Sequence, residues 1–209
     1  MKMPYAKDAR AIYRESFSII RAEADLSAFP PDLARVVVRM IHACGMTDLP
    51  QYVGASPGAT GIGVRAIRDG ATILCDANMV ANGVTRSRLP SNNEVLCTLG
   101  DPRTADLAKK LETTRSAAAL ELWREKLGDS VVVIGNAPTA LFRLLEMLEE
   151  PSPRPALIIG MPVGFVGAAE SKAALMANPM NLPYLTIQGR RGGSAIAAAA
   201  VNALASEEE

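Results

Sequence analysis

The pattern that decides the fold is clearest in Val131-Val132-Val133-Ile134-Gly135-Asn136-Ala137-Pro138-Thr139. Its four β-branched residues are typical of a short buried strand. The glycine and proline that follow predict a turn, and the apolar periodicity of residues 140–149 predicts a helix. A strand that enters a helix through a short turn is the repeating unit of a parallel sheet with helical crossovers.

The same unit recurs on both sides of this stretch. Further strands are predicted in four aliphatic runs: 71–75, 95–99, 156–159 and 184–187. Helices are predicted at 5–25, 33–44, 62–69, 104–126, 168–176 and from 194 onward, with a loop at 49–63. We therefore expect one α/β domain over residues 1–209, with a mostly parallel sheet and helices on both faces in a Rossmann-like, three-layer arrangement.

Composition narrows the function classes. The chain has 22 basic and 22 acidic residues, which argues against a nucleic-acid partner or an anionic membrane surface. The start of the sequence lacks the apolar stretch of a signal peptide, and no apolar run approaches the ~18 residues of a membrane span. Cys44, Cys75 and Cys97 show no CxxC spacing and indicate reduced thiols. These features favour a cytoplasmic protein.

Glycine-rich turns follow three of the predicted strands, at 135–139, 160–164 and 189–194. Ligands of open parallel sheets bind beyond the carboxyl ends of the strands, where helix N-termini favour anions. Each turn alone is as consistent with simple chain reversal, but three together predict a ligand face. A nucleotide is disfavoured, because residues 58–63 have the wrong glycine spacing for a dinucleotide fingerprint and no phosphate-binding loop motif occurs.

His42 is the only histidine of the chain. A zinc site would need clustered ligands, and a Cys–His pair with Cys44 is unfavourable because side chains two apart on a helix diverge. Helical periodicity places His42 with Arg35 and Arg39, away from the apolar face of its helix. Spacing alone leaves two interpretations open: a solvated histidine at a helix C-terminus, or an acid–base residue beside a cation that holds an anionic substrate.

Several blocks resemble the precorrin-8X methylmutase family, and the similarity extends from about residue 12 to residue 204. The blocks are Val38–Gly45 around the histidine, Ile73–Asp76 with Met79-Val80, Gly83-Val84-Thr85-Arg86, Gly135–Phe142, Pro162–Lys172 and Gly189–Ser194. One segment, 54–63, is richer in glycine than this family pattern and is interpreted as a mobile lid or a variable loop.

The resemblance implies an isomerase of vitamin B12 (cobalamin) biosynthesis that moves a methyl group from carbon 11 to carbon 12 of a polycarboxylated tetrapyrrole, giving hydrogenobyrinate. It implies that His42 acts as general acid toward a nitrogen of ring C, without a cofactor or a metal. By motif match the substrate-binding residues are Ser16, Arg39, Thr85, Arg86 and Arg115. A homodimer with active sites near the subunit interface is also implied.

Three alternatives stay open. The first is the same rearrangement on cobalt-precorrin-8, although the segments Cys75-Asp76 and Val95-Leu96-Cys97-Thr98 resemble the cobalt-free branch more closely. The second is a non-enzymatic carrier of hydrogenobyrinate, which would use the same binding residues. The third is a nucleotide-dependent oxidoreductase with a degenerate glycine-rich loop.

Overall fold

The computed structural model describes residue 3 and residues 5–206. Its centre is a six-stranded sheet with the spatial order β1-β6-β5-β4-β2-β3. The strands are β1 (Val53–Ala55), β2 (Ile73–Cys75), β3 (Val95–Leu96), β4 (Val131–Ile134), β5 (Leu157–Gly160) and β6 (Tyr184–Ile187). Strands β2 to β6 are parallel, and β1 alone pairs antiparallel, with Val53 opposite Ile187. The predicted α/β class with a mostly parallel sheet is confirmed.

Helices cover both faces of the sheet, as predicted. They are α1 (Ala9–Glu23), α2 (Pro31–Cys44), α3 (Ala59–Arg68), α4 (Asn78–Gly83), α5 (Pro102–Lys110), α6 (Arg115–Ala119), α7 (Pro138–Glu149), α8 (Ala168–Met176) and α9 (Ser194–Ala205). One layer contains α1 to α4 and α9, and packs on strand residues such as Val131 and Val133. The other contains α6 to α8 and packs on the alternate residues, such as Val132 and Ile134. This alternation follows from the two-residue period of a strand.

The single long helix predicted at 104–126 is wrong. Helix α5 ends at Lys110, Glu112 takes a left-handed conformation with φ of 49°, and α6 starts only at Arg115. The Thr114 hydroxyl accepts a hydrogen bond from the Ala117 N–H at 3.2 Å, which is an N-cap. A 3₁₀ segment, Leu120–Lys126, completes the connection. A residue in the left-handed conformation and a new N-cap therefore divide the segment that the sequence predicts as one helix.

The glycine-rich segment 54–63 is not a loop. Gly54 lies in β1, and α3 begins at Ala59. A Cβ atom on Gly63 would lie only 2.7 Å from Leu157 Cδ2 and 2.9 Å from Leu204 Cδ1, so this glycine lets α3 approach β5 and α9 closely. The mobile-lid interpretation is replaced by tight packing, and the strand β1 was missed because three half-buried residues carry no periodic signal.

The parallel strands have the doubly wound order 2-1-3-4-5 when counted along the chain, because β3 and β4 flank β2. The direction of winding reverses between β2 and β4, and crevices at such points commonly bind ligands. Here Asp76 fills the crevice. Its carboxylate accepts hydrogen bonds from the backbone N–H groups of Gly135, Asn136 and Ala137 at 2.8, 3.0 and 2.8 Å.

Candidate active site

A cleft of about 340 Å³ opens on the solvent-facing side of α9, between α2 and the segment that follows α4. Its walls combine small residues of α9 with the cationic end of α2. It is lined by Tyr13, Arg39, His42, Ala43, Gly83, Thr85, Arg88, Ala195, Ala198, Ala199 and Asn202. No carboxylate is among these lining residues, so the cleft is cationic and suited to an anionic ligand.

His42 lies in the last turn of α2, which ends at Gly45 in a left-handed C-cap with φ of 71°. The imidazole is exposed and lies against two aromatic rings of α1. Its centroid is 5.0 Å from that of Phe17, nearly parallel at 22°, and 5.1 Å from that of Tyr13, edge to face. The prediction that His42 points away from the main core is confirmed, and the stacking restricts the orientation of its ring.

Arg39 differs from its sequence interpretation. Helical periodicity places it away from the apolar face of α2, but only 7% of Arg39 is exposed, because α1 covers this face of α2. The guanidinium donates to the Tyr13 hydroxyl and lies 5.5 and 5.4 Å from the ring centroids of Tyr13 and Phe17. Burial, followed by the nearby charge of Arg88, lowers the pKa of Arg39. Arg39 is therefore a partly desolvated cation in the wall of the cleft.

Residues 83–88, which we call the strap, form the opposite wall. Asn202 of α9 accepts a hydrogen bond from the Thr85 N–H at 2.8 Å and donates one to the Gly83 carbonyl at 3.0 Å. A Cβ atom on Gly83 would lie 2.7 Å from Ala198 Cβ, so only glycine permits this approach. The two contacts fix Thr85 and Arg88 at the rim of the cleft.

Arg86, also on the strap, is directed away from the cleft. Its Nη1 donates to the Ala81 carbonyl at 3.0 Å and to the Val84 carbonyl at 3.4 Å, which satisfies the C-terminal end of α4. Arg86 is not among the residues that line the cleft. Of the two predicted binding residues on the strap, the structure thus places Thr85 in the lining of the cleft with His42 and Arg86 outside it.

Ser16 and Arg115 lie outside the cleft lining. Ser16 is half-buried on α1, next to Phe17, which stacks on the imidazole. Arg115 lies at the start of α6, in the opposite helical layer, and donates to the Leu99 carbonyl at 3.2 Å. Within one chain, Arg115 and His42 are therefore on different sides of the sheet.

Three residues that line the cleft, Tyr13, Arg88 and Asn202, were not singled out from the sequence, and neither was Phe17, which stacks on His42. Tyr13 and Phe17 are four positions apart on a helix and share a face, so their spacing was a usable signal. Arg88 and Asn202 carried no such signal, because only the packing of the strap on α9 brings them to the cleft.

The other ligand features read from the sequence do not form a competing site. None of the residues 135–139, 160–164 and 189–194 lines the cleft, and Asp76 already occupies the N–H groups of the first turn. Gly63 lies inside α3, so residues 58–63 do not form the turn of a dinucleotide fingerprint. A larger cavity of about 580 Å³ lies at the amino ends of β2, β4 and β5, remote from His42. Within the described residues, no helix is long and apolar enough to cross a membrane.

Fold and site together define a class: a doubly wound α/β protein with a preformed cationic cleft beside its one histidine. The family model described as precorrin-8X methylmutase matches residues 11–207. A precorrin-8X methylmutase of Pseudomonas aeruginosa is 62% identical over 98% of this chain and 99% of its own length. A cobalt-precorrin-8 methylmutase of Leptospira interrogans is 36% identical over 93% of this chain and 92% of its own length.

Among solved structures, the precorrin-8X methylmutase of Thermus thermophilus matches with a TM-score of 0.86 and 42% sequence identity, covering 94% of this chain and 95% of that one. The chain belongs to the precorrin-8X methylmutase family. It is accordingly an enzyme, an isomerase of the intramolecular transferase type, with a role in cobalamin biosynthesis.

Proposed function

We propose that this enzyme converts precorrin-8X to hydrogenobyrinate by moving a methyl group from carbon 11 to carbon 12 of the macrocycle, with His42 as general acid. The single observation that carries the proposal is the position of the imidazole. It is exposed in a cleft beside the desolvated cation of Arg39 and is fixed by two aromatic rings. A rearrangement has the same atoms in substrate and product, so its chemistry consumes no co-substrate.

The charge of the cleft supports a polycarboxylated ligand. Arg39 supplies a buried cation, and Thr85 offers a hydroxyl at the rim beside it. Carboxylates that pair with a partly buried guanidinium form strong, charge-assisted hydrogen bonds. We propose Arg39, Thr85 and Ser16 as contacts around the histidine, and Arg86 and Arg115 as contacts for carboxylates farther from it.

His42 would protonate a nitrogen of ring C and so lower the barrier to methyl migration. General acid catalysis of this type contributes about 10²- to 10⁴-fold to a rate. The remainder would come from holding the macrocycle in the reactive conformation. The stacking of Phe17 on His42 supports this role, since a fixed imidazole presents its proton in one direction.

We propose cobalt-free precorrin-8X as the substrate because the relative of that name is far more similar than the cobalt-precorrin-8 methylmutase, at 62% against 36% identity. We also propose a cytoplasmic homodimer in which each chain, residues 1–209, is a single domain. A tetrapyrrole is larger than a ligand that a cleft of about 340 Å³ can enclose, so a second subunit would complete the binding surface.

The test follows the visible spectrum of precorrin-8X during incubation with the wild type, with His42→Ala and with Cys44→Ala. The wild type should produce hydrogenobyrinate, and His42→Ala should lose about 10²- to 10⁴-fold in kcat. Cys44→Ala is the matched control two residues away, and should keep its activity. Burial raises the pKa of the Cys44 thiol, which keeps it protonated and poorly nucleophilic.

Each other outcome has a distinct meaning. Equal turnover by the wild type and His42→Ala would preserve the reaction and remove His42 from it. A spectral shift on binding without a new product would favour a carrier of hydrogenobyrinate. Turnover of cobalt-precorrin-8 alone would reassign the substrate, and no response to either compound would contradict the proposed reaction.

A further inference from the structure

Arg88 is a half-buried cation at the rim of the cleft, and it matches no motif from which the binding residues were taken. It ends the 3₁₀ turn Arg86–Arg88, where its own N–H donates to the Thr85 carbonyl at 3.0 Å. Leu89, the next residue, is buried and anchors this end of the strap in the core. The position of Arg88 is therefore set by its own backbone hydrogen bond on one side and by the buried Leu89 side chain on the other.

The guanidinium of Arg88 is incompletely paired. Its Nη1 atom is buried, and within the described part of the chain it has no hydrogen-bond partner. A buried N–H of a charged group without an acceptor is unfavourable, and native structures rarely keep one without a reason. No lining residue of the cleft carries a carboxylate that could accept this hydrogen bond.

Arg39 makes the arrangement more unusual. The two arginines line the same cleft closely enough for the charge of Arg88 to contribute to the lowered pKa of Arg39. Two like charges facing one partly desolvated space repel each other. An anion placed between them would turn this repulsion into two attractions and would supply the missing acceptor.

We propose that Arg88 binds a carboxylate of the substrate jointly with Arg39, and that this shared carboxylate fixes the macrocycle relative to His42. The inference rests on the proposed function for the identity of the ligand, a polycarboxylated tetrapyrrole. It adds a binding residue that the sequence motifs do not indicate, and it separates Arg88 from Arg86, whose Nη1 already donates to backbone carbonyls outside the cleft. A planar, forked guanidinium suits a carboxylate better than an ammonium group does.

The experiment compares Arg88→Gln and Arg88→Lys with Arg154→Gln, a matched loss of charge at an exposed position before β5. Because His42 is the only histidine, the NMR resonance of its imidazole Cε1–H reports on the cleft alone. Titration with propane-1,2,3-tricarboxylate should shift this resonance in the wild type and in Arg154→Gln. Arg88→Gln should bind about 10- to 100-fold more weakly, and Arg88→Lys should recover part of the loss.

Turnover of precorrin-8X gives the second measurement. Arg88→Gln should raise KM by a similar factor, with a smaller effect on kcat, because the contact is already made in the bound ground state. Without ligand, its melting temperature should equal or exceed that of Arg154→Gln, since the repulsion from Arg39 is removed. A lower melting temperature together with unchanged tricarboxylate binding would overturn the proposal and make Arg88 a structural residue.

The two proposals fail separately. Loss of tricarboxylate binding in Arg88→Gln, combined with no turnover of precorrin-8X by the wild type, would support the carboxylate site and contradict the proposed reaction. Normal wild-type turnover with an unchanged KM in Arg88→Gln would leave the reaction intact and overturn the role of Arg88.

Discussion

Two regions of this molecule are built to receive an anion, and only one of them is open. At the switch point of the sheet, the backbone N–H groups at the start of α7 converge on the Asp76 carboxylate, which is 1% exposed. In the cleft, Arg39 and Arg88 converge on a space that no carboxylate of its own lining enters. The closed region joins β2 to β4, and the open region lies beside the histidine.

The difference shows how a position that binds ligands in many doubly wound proteins becomes part of the scaffold. Asp76 supplies the anion from within the chain, so the crevice gains stability and loses the capacity to bind. Burial raises the pKa of Asp76, and the three N–H donors act in the opposite direction. The proposed ligand site lies instead on the surface of a helical layer, where a buried nitrogen of Arg88 has no hydrogen-bond partner among the described residues.

The largest expected effect comes from opening the closed region with Asp76→Ala. This change leaves the buried N–H of Gly135 and the partly buried N–H groups of Asn136 and Ala137 without their acceptor, and it should lower the free energy of unfolding by about 3–5 kcal/mol. Urea denaturation would measure it. The matched control is Asp101→Ala, which removes an N-cap carboxylate near the surface and should cost much less. An Asp76→Ala protein of undiminished stability would break the comparison, because the crevice would then have no structural need of its anion.

Lys172 is a second buried polar group that, like Asp76, is hydrogen-bonded within the chain, so it tests the closed kind of region again. Its side chain is fully buried in α8 and donates to the Arg191 carbonyl at 2.5 Å, and burial lowers its pKa from 10.5 to about 8. Between pH 8 and pH 10.5 the unfolded chain therefore binds more protons than the folded chain. Wild-type stability should rise with pH in this window relative to Lys172→Met, by an amount on the order of 3 kcal/mol when complete.

Urea unfolding of both proteins at pH 7.5 and at about pH 9.5 would reveal about half of this difference. Taking the difference between the two proteins removes the contributions of the buried cysteines, which both share. If the difference in unfolding free energy between the two proteins did not change with pH, the Lys172 ammonium would be as well solvated in the folded chain as in the unfolded chain. If Lys172→Met lost turnover at unchanged stability, Lys172 would act on the cleft and could not be assigned to the closed region.

The sequence predicted the closed parts of the molecule better than the open one. Strands such as β4 and β6 were located closely because buried parallel strands appear as short aliphatic runs. The break after α5 depends on the left-handed Glu112, which no periodicity reveals. His42 was found because it is unique and its helix ends at a glycine. The burial of Arg39 and the unpaired nitrogen of Arg88 arise from tertiary packing of α1 and of the strap, which a single-helix pattern does not contain.

The smallest expected effect concerns Phe17, whose side chain both fills the core and stacks on the histidine of the open cleft. Phe17 is buried in the core, 5% exposed, and its ring also stacks on the open imidazole of His42. Phe17→Leu keeps most of the apolar volume, so the free energy of unfolding should fall by no more than about 1.5 kcal/mol. The lost ring contact should let the imidazole rotate and should lower kcat by about 2- to 10-fold, as expected for an aromatic pair of about 0.5–1.5 kcal/mol.

Phe142→Leu is the matched control, because Phe142 lies on α7 in the other helical layer and contacts neither His42 nor the cleft. Phe142 is half-buried, so this variant should lose no more stability than Phe17→Leu and should keep its kcat for precorrin-8X. If the two variants lost turnover in equal measure, stability alone would explain the effect, and the stacking would have no role in orienting the acid. If only Phe17→Leu lost turnover, this side chain would have a function in the open cleft that is separate from its contribution to the core. The Asp76 crevice, by contrast, would contribute to stability alone.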